Sequence, residues 1–286
     1  LPLLISIPLS LTILVSCKVE QAPSGLVNVF IGTGGHGHTF PGATLPFGMV
    51  QLSPDTRMEG WDACSGYHDS DRTIIGFSHT HLSGTGIGDY GDILMMPVVG
   101  RKALVRGEEG IPGSGYRSAF TKSNEKGSPG YYSVILDDYN IKAELTATTR
   151  AGFHRYTFPE SKESDIIVDL HHTLQYHPNL LLKIKALSDT EIEGVKITRG
   201  WAKYHPVYFY ARVSKPFRCT IAVNDTLNAS LKEAEGQNIK AVLSFETSKD
   251  EQVLVKVGIS SVDASGAKNN LESEIPDWNF DGIREK

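Results

Sequence analysis

Residues 141–147 read Ile-Lys-Ala-Glu-Leu-Thr-Ala, and residues 192–197 read Ile-Glu-Gly-Val-Lys-Ile. In the first, Ile141, Ala143, Leu145 and Ala147 alternate with Lys142, Glu144 and Thr146. A period of two places the apolar set on one face of an extended chain and the polar set on the other. The same signature recurs along the sequence. Strands are expected at 49–52, 73–79, 93–99, 131–136, 141–148, 151–158, 165–170, 180–187, 191–201, 208–214, 218–223, 239–245 and 253–260. The connectors are short and carry Gly, Pro, Asn or Asp, as in Ser128-Pro129-Gly130 and Val223-Asn224-Asp225. Many strands joined by tight turns predict an all-β protein, a large antiparallel β-sandwich over 27–262. No βαβ alternation supports a parallel sheet.

After residue 262 the pattern changes. Residues 263–274 are polar and helix-compatible, Ile275-Pro276 interrupts them, and Trp278-Asn279-Phe280-Asp281-Gly282-Ile283 begins a second helical pattern. Asp277 is the expected cap, with Trp278, Phe280 and Ile283 as its apolar contacts. Residues 263–286 therefore read as the start of a helical linker, its aromatics lacking a partner in the sequence.

Residues 32–91 have a different chemistry. They contain Gly32-Thr33-Gly34-Gly35-His36-Gly37-His38, then Trp61-Asp62-Ala63-Cys64-Ser65-Gly66-Tyr67-His68, then Ser78-His79-Thr80-His81-Leu82-Ser83-Gly84-Thr85-Gly86. Glycine, imidazole, aromatic and hydroxyl groups dominate, and long aliphatic side chains are few. Glycine permits close backbone approach, and loops of this composition carry binding groups. A Trp face can stack on the apolar side of a sugar ring while carboxylate and imidazole groups take its hydroxyls. The plainer alternative is a set of tight turns with Trp61 packed beneath one of them. His36/His38 and His79/His81 are each His-x-His, a weak metal signal on its own. Gly-flanked His36 and His38 read better as hydrogen-bonding loop residues. Asp89 and Asp92 read as groups that hold a glycine-rich turn. Glu108-Glu109, Asp137-Asp138 and Glu233 with Glu235 read as solvated turns. No strand–glycine–helix unit surrounds the Gly-x-Gly patterns, and no Gly-x-Ser-x-Gly elbow is present.

These stretches resemble the N-terminal domain of glycoside hydrolase family 92, the calcium-dependent exo-acting α-mannosidases. The resemblance rests on residues 32–43, Pro46-Phe47-Gly48-Met49-Val50-Gln51-Leu52-Ser53-Pro54-Asp55-Thr56, Cys64-Ser65-Gly66-Tyr67-His68 and 76–86. Val168-Asp169-Leu170 and Tyr208–Phe217 add to it. It implies hydrolysis of terminal α-linked mannose with inversion, and a Ca2+ ion held mostly by residues of an (α/α)6 barrel that lies outside this sequence. The catalytic carboxylates are expected in that barrel, and none in this chain. Gly34, Gly35, His36, Trp61, Asp62, Tyr67, His68, His79, His81 and Ser83 are the expected substrate-binding residues. The loops 34–38, 61–68 and 79–88 should converge at one end of the sandwich, facing the direction in which Trp278 leads the chain. The different reading is a free-standing, lipid-anchored glycan-binding module without hydrolase activity.

Residues 1–16 form an apolar run too short to span a membrane, and Leu14-Val15-Ser16-Cys17 resembles a bacterial lipobox. Cleavage before Cys17, its acylation and a membrane-anchored, exported lipoprotein facing the periplasm or cell exterior are expected, with 17–26 as a tether. Of the 3 Cys, Cys64 and Cys219 then remain, expected as two buried free thiols. The 286 residues carry a formal net charge of −5 and no basic cluster, so a nucleic-acid partner is not expected.

Overall fold

A computed structural model describes residues 23–100, 103–111 and 113–286. The expected signal segment and Cys17 lie outside the described residues. Of the expected tether, Pro23–Leu26 form a single 3-10 turn.

Among the described residues two large sheets face each other. The eight-stranded sheet runs Ala43–Thr44, Gln51–Asp55, Gly76–Ser78, Leu94–Val99, Ser161–Asp169, Ile239–Thr247, Arg218–Val223, Thr226–Asn228. The nine-stranded sheet runs Glu233–Gly236, Asn179–Ala186, Glu191–Thr198, His205–Val213, Glu251–Ser260, Ala151–Phe158, Ile141–Ala147, Tyr131–Leu136, Lys126–Ser128. A small ribbon pairs Thr73–Ile74 with Ser118–Ala119. The long central pairings are antiparallel in both sheets, such as Ala151–Phe158 against Glu251–Ser260 and Ser161–Asp169 against Ile239–Thr247. The protein is thus all-β, as the alternation predicts. Ile141, Ala143 and Leu145 enter one continuous core that also takes Leu52, Phe77 and Leu243 from the opposite sheet.

The outer face of the nine-stranded sheet is covered. Helix α1 (Ala264–Glu274) is capped by Asp263, whose carboxylate accepts from Gly266 N at 2.6 Å. Helix α2 (Phe280–Arg284) is capped by Asn279, not by Asp277; Asp277 instead accepts from the Asn279 amide. Leu271, Ile275, Phe280 and Ile283 pack on Tyr131, Phe153 and Tyr210 of this outer face. The expectation that these apolar side chains lack a partner is corrected. Phe153 points outward between inward-facing neighbours, so the sandwich supplies the partner itself. Trp278 rests against Phe153, with the Lys256 ammonium 4.3 Å from its ring centre.

Some boundaries move. The expected strand 73–79 splits, because Ile75 N turns to bond the Asp55 carbonyl and the halves join different sheets. The strand expected to reach Trp201 stops at Thr198. Glu233–Gly236 is not a turn but an edge strand paired with Leu182–Lys185. Cys64 and Cys219 are free, Cys64 buried and Cys219 half-buried; burial pushes the Cys219 thiol up to about 11.

Candidate functional site

Three of the glycine-rich loops meet at one end of the sandwich. Gly60, at φ +92, turns the chain into a short 3-10 turn that presents Trp61. The indole is 62% exposed. One edge meets the His38 ring, centroids 4.9 Å apart and nearly perpendicular. The other constraint is Gly86: a Cβ there would lie 2.8 Å from the indole Cη2, so only glycine lets this loop approach. The adjacent Asp62 carboxylate accepts from His36 Nδ1 at 2.6 Å, with His38 Nε2 at 3.6 Å. The hydrogen bond from His36 holds Asp62 below the usual carboxylate range. Gly84 N donates to the His38 carbonyl at 2.6 Å. His68 Nε2 faces the Gly35 carbonyl at 3.1 Å, and Asp69 N donates to the Thr33 carbonyl at 2.9 Å. The result is an open wall with one aromatic face, an imidazole–carboxylate pair and backbone from Gly34 and Gly35.

Behind the wall lies a buried polar layer. Asp55 accepts from His81 Nε2 at 2.8 Å and from His172 Nε2 at 2.9 Å. Burial alone would raise its carboxyl, but the two imidazoles hold it well below the ordinary range. His81 Nδ1 also faces the Gln51 carbonyl at 2.7 Å, which fixes the ring between Gln51 and Asp55. Asp92 lies 3.0 Å from the Lys196 ammonium and accepts from Thr80 at 2.7 Å and His205 at 3.3 Å. His205 in turn stacks on Tyr90, centroids 4.7 Å apart. Asp89 accepts from Tyr90 N and Trp201 N, which pins the Gly200 turn against the loop. Asp89 thus holds a turn, as its glycine-rich context predicts, whereas Asp92 is the carboxylate of a buried ion pair with Lys196.

A third group joins the two sheets. The Tyr156 hydroxyl lies 2.8 Å from His154 Nδ1, His154 Nε2 lies 3.0 Å from His79 Nε2, and His79 Nδ1 lies 2.7 Å from the Ile93 carbonyl. The carbonyl accepts only, so His79 Nδ1 carries hydrogen. In the neutral ring its Nε2 then accepts from His154 Nε2–H, and His154 Nδ1 accepts from Tyr156. With both rings neutral, every nitrogen of the two rings and the Tyr156 hydroxyl has a partner. Burial lowers His79 to about 4, holds His154 well below its ordinary value and lowers His172. A histidine lowered in the fold costs stability as pH falls, because the unfolded chain takes up the proton first. His205 is raised, chiefly by its bond to Asp92. Its contribution is complete below the unfolded value and fades as pH rises through the folded one. Three lowered rings outweigh one raised ring. Folding stability should therefore fall as pH drops from 6.5 to 5. Urea denaturation across that range measures it, and a flat profile would contradict the neutral relay.

The expected residues separate into two groups. Gly34, Gly35, His36, Trp61, Asp62 and His68 share the exposed wall, and Ser83 is exposed beside Gly84. Tyr67, His79 and His81 do not line it. They are buried, and their polar atoms are already used: Tyr67 donates to Glu125 at 2.9 Å, and the two histidines serve the networks above. They position the wall. Residues the sequence reading did not select also gather here: His38, Tyr90, Tyr176, His177 and Trp201. Gln175 Nε2 donates to the Gly60 carbonyl at 2.9 Å and His177 Nε2 to the Gly88 carbonyl at 2.9 Å, which brings the 171–178 segment to the same end. The density of aromatics and imidazoles in Trp201-Ala202-Lys203-Tyr204-His205 was a usable signal. Left-handed backbone at His38, Tyr90, Ile93, Gln175 and Tyr176 concentrates at this end. For the β-branched Ile93 that conformation is a genuine outlier, of the kind that accumulates at functional sites.

The model of the glycosyl hydrolase family 92 N-terminal domain matches residues 26–260. A family GH92 α-mannosidase from Bacteroides thetaiotaomicron, solved in complex with mannoimidazole, superposes with a TM-score of 0.88 at 40% identity. The match covers 92% of this chain and 35% of that one. A family GH92 inverting mannosidase from the same organism gives a TM-score of 0.76 at 25% identity, covering 92% of this chain and 34% of that one. A curated relative, an uncharacterized secreted glycosidase of Arthroderma benhamiae, is 26% identical over 96% of this chain and 39% of its own length. The chain thus spans between a third and two-fifths of the length of these relatives.

Proposed function

The chain belongs to glycosyl hydrolase family 92, whose N-terminal domain it carries, and from this we propose that it forms one wall of the sugar site of an exported α-mannosidase. The observation that carries the reading is the convergence of Trp61, Asp62–His36 and the Gly34–Gly35 backbone on one exposed face. Trp61 stacks on the apolar face of a terminal α-linked mannose. The Asp62 carboxylate and the imidazoles take its hydroxyls, and the glycines let the ring approach the backbone. Inversion requires a carboxylic acid on the leaving oxygen and a carboxylate that activates water from the opposite side. Of the carboxylates near the wall, Asp89 accepts from two amides, and Asp55 and Asp92 are buried against imidazoles and the Lys196 ammonium. We assign the acid and base to residues outside this chain, as the family resemblance implies.

Among the described residues no group of three or more His, Cys, Asp or Glu side chains could hold a metal ion. Ca2+ takes carbonyl, amide and water oxygens as well as carboxylates, and its carboxylate ligands are assigned to residues outside this chain. Export and a lipid anchor at Cys17 complete the proposal; Cys17→Ser in the natural precursor should release the protein from membranes.

The test is hydrolysis of an aryl α-mannoside. The chain alone should give no turnover above background, and the intact enzyme should turn over. Robust turnover by the chain alone would place the acid and base within it. One observation favours a second reading, a lipid-anchored glycan-binding module: Phe280 and Ile283 are covered by the sandwich itself. An intact gene product that binds mannosides without cleaving them would decide for the module.

A further inference from the structure

Helices α1 and α2 are separated by a break at 275–279, and one buried lysine of the sheet holds that break. Lys256 pairs with Phe153 on one side and Arg212 on the other, and is 2% exposed. Its ammonium donates to the Ile275 carbonyl at 2.9 Å and to the Asp277 carbonyl at 3.3 Å, with the Trp278 ring against it. We propose that Lys256 is a positioning residue for the proposed hydrolysis: it latches 275–278 to the sandwich and so fixes the direction of the chain toward the acid and base. The inference rests on the assignment of those two groups to residues outside this chain and extends it.

The chemistry at the latch is not that of simple packing. An apolar side chain would cover Trp278 without an electrostatic cost. Lys256 instead keeps a charge away from water, and burial, with Arg212 beside it, lowers the ammonium from its ordinary value. A buried cation is tolerated where its donors are used. Here they go to backbone. Pro276 has no N–H, and residues 275–278 belong to neither helix, so the carbonyls there need donors from outside the segment. Two directed hydrogen bonds select one path across the break, whereas apolar contact is non-directional.

Charged groups fix both flanks of the break. Before it, Glu274 accepts from Thr148 Oγ1 at 2.6 Å, Arg150 N at 2.8 Å and Arg150 Nε at 2.6 Å. After it, Arg155 donates twice to Glu144 and once to Asp281, each at 2.9 Å. The same guanidinium lies 4.2 Å from the Phe280 ring centre, and that of Arg284 lies 3.7 Å from the Tyr131 ring centre. Planar guanidinium groups add direction to the apolar contacts of Phe280 and Ile283.

The latch is also tied to the sugar wall. The turn that holds Glu274 gives its Thr149 carbonyl to Met49 N at 2.7 Å and Val50 N at 3.2 Å. The next residue, Gln51, donates its N–H to the His79 carbonyl at 2.9 Å and presents its own carbonyl to His81 Nδ1 at 2.7 Å. Those histidines belong to the buried layers behind Trp61. The sandwich therefore holds both the sugar wall and the break between α1 and α2 in one frame. A misplacement of about 1 Å between sugar and reacting groups can cost about 100-fold in rate.

Hydrogen exchange and steady-state kinetics of Lys256→Met test the proposal, since methionine keeps the stem and removes the donors. In the full chain, amide exchange at Phe280, Ile283 and Glu285 should quicken about 100-fold, while exchange across Ala151–Phe158 stays as in the wild type. In the intact enzyme, kcat for an aryl α-mannoside should fall about tenfold with KM within about twofold, because the Trp61 wall is untouched. Lys256→Arg keeps donors and should restore most of kcat. Unchanged exchange in Lys256→Met would overturn the latch, and quickened exchange with wild-type kcat would overturn its positioning role. Should Lys256→Met fail to fold, Asp281→Asn weakens the hold of Arg155 on α2 at an exposed carboxylate and should give the same pattern more weakly; unchanged exchange and kcat in that variant would overturn the proposal. Turnover by the chain alone would contradict the placement of the acid and base, and would overturn the positioning role with it whatever the exchange shows.

Discussion

Replacing Asp92 with alanine should cost about 3–5 kcal/mol of folding stability, the range for removing one member of a buried ion pair. For a domain of this size that lowers the melting temperature by about 10 °C. The Lys196 ammonium 3.0 Å away is fully buried, and the substitution leaves it with only the Gly91 and His172 carbonyls. Thr80 and His205 lose their acceptor at the same time. The Asp92 carboxyl is held well below its ordinary range: burial opposes this, and Lys196 and then His205 overcome it. A lowered carboxyl contributes stability above about pH 4 and loses it only as pH falls further, so the loss should be full at neutral pH. The mechanism makes a second demand. The double variant Asp92→Ala with Lys196→Met removes the stranded charge and should be more stable than Asp92→Ala alone. Thermal denaturation of the wild type, Asp92→Ala, Lys196→Met and the double variant decides it, and simple addition of the two single losses would contradict the buried-pair account.

In the intact enzyme, Trp61→Ala should lower kcat/KM for α-mannosides about 100-fold, or about 2.7 kcal/mol of transition-state stabilisation. The melting temperature should barely move. The indole is largely exposed, and the contacts described for it are the His38 edge and Gly86. A surface aromatic with so little packing contributes to a ligand more than to the fold. Matched kinetics and melting curves separate the two roles. Unchanged kinetics would remove Trp61 from the site, and a large loss of stability would make it a packing residue.

The architecture was legible because one face of the nine-stranded sheet is continuous. Ile141, Ala143 and Leu145 alternate in the sequence for the same reason that they share a core with Leu52 and Phe77. Strands of two or three residues, such as Ala43–Thr44 and Thr226–Asn228, carry no readable period and exist through their partners. Glu233 and Glu235 read as a turn because an edge strand can turn carboxylates to water. At the site, residue chemistry identified the wall at His36, Trp61 and Asp62, yet could not tell which histidines face solvent. Burial of Tyr67, His79 and His81 depends on Glu125, His154 and Asp55, which lie 58, 75 and 26 residues away in sequence. Trp201 was hidden inside an expected strand that ends three residues earlier. The outward face of Phe153 gave no sign that α2 would cover it.

The central claim is that this chain orients a mannose ring on Trp61, and its three tryptophans allow a direct measurement. Trp61 and Trp201 lie exposed at the loop end, and Trp278 rests on the outer face of the nine-stranded sheet. Three indole N–H signals should therefore be resolved by NMR, with Trp61 assigned through Trp61→Phe. On titration with methyl α-mannoside the Trp61 signal should move saturably, and the Trp278 signal should not. A Trp61 signal that stays fixed throughout the titration, or a shift confined to Trp278, would contradict the account.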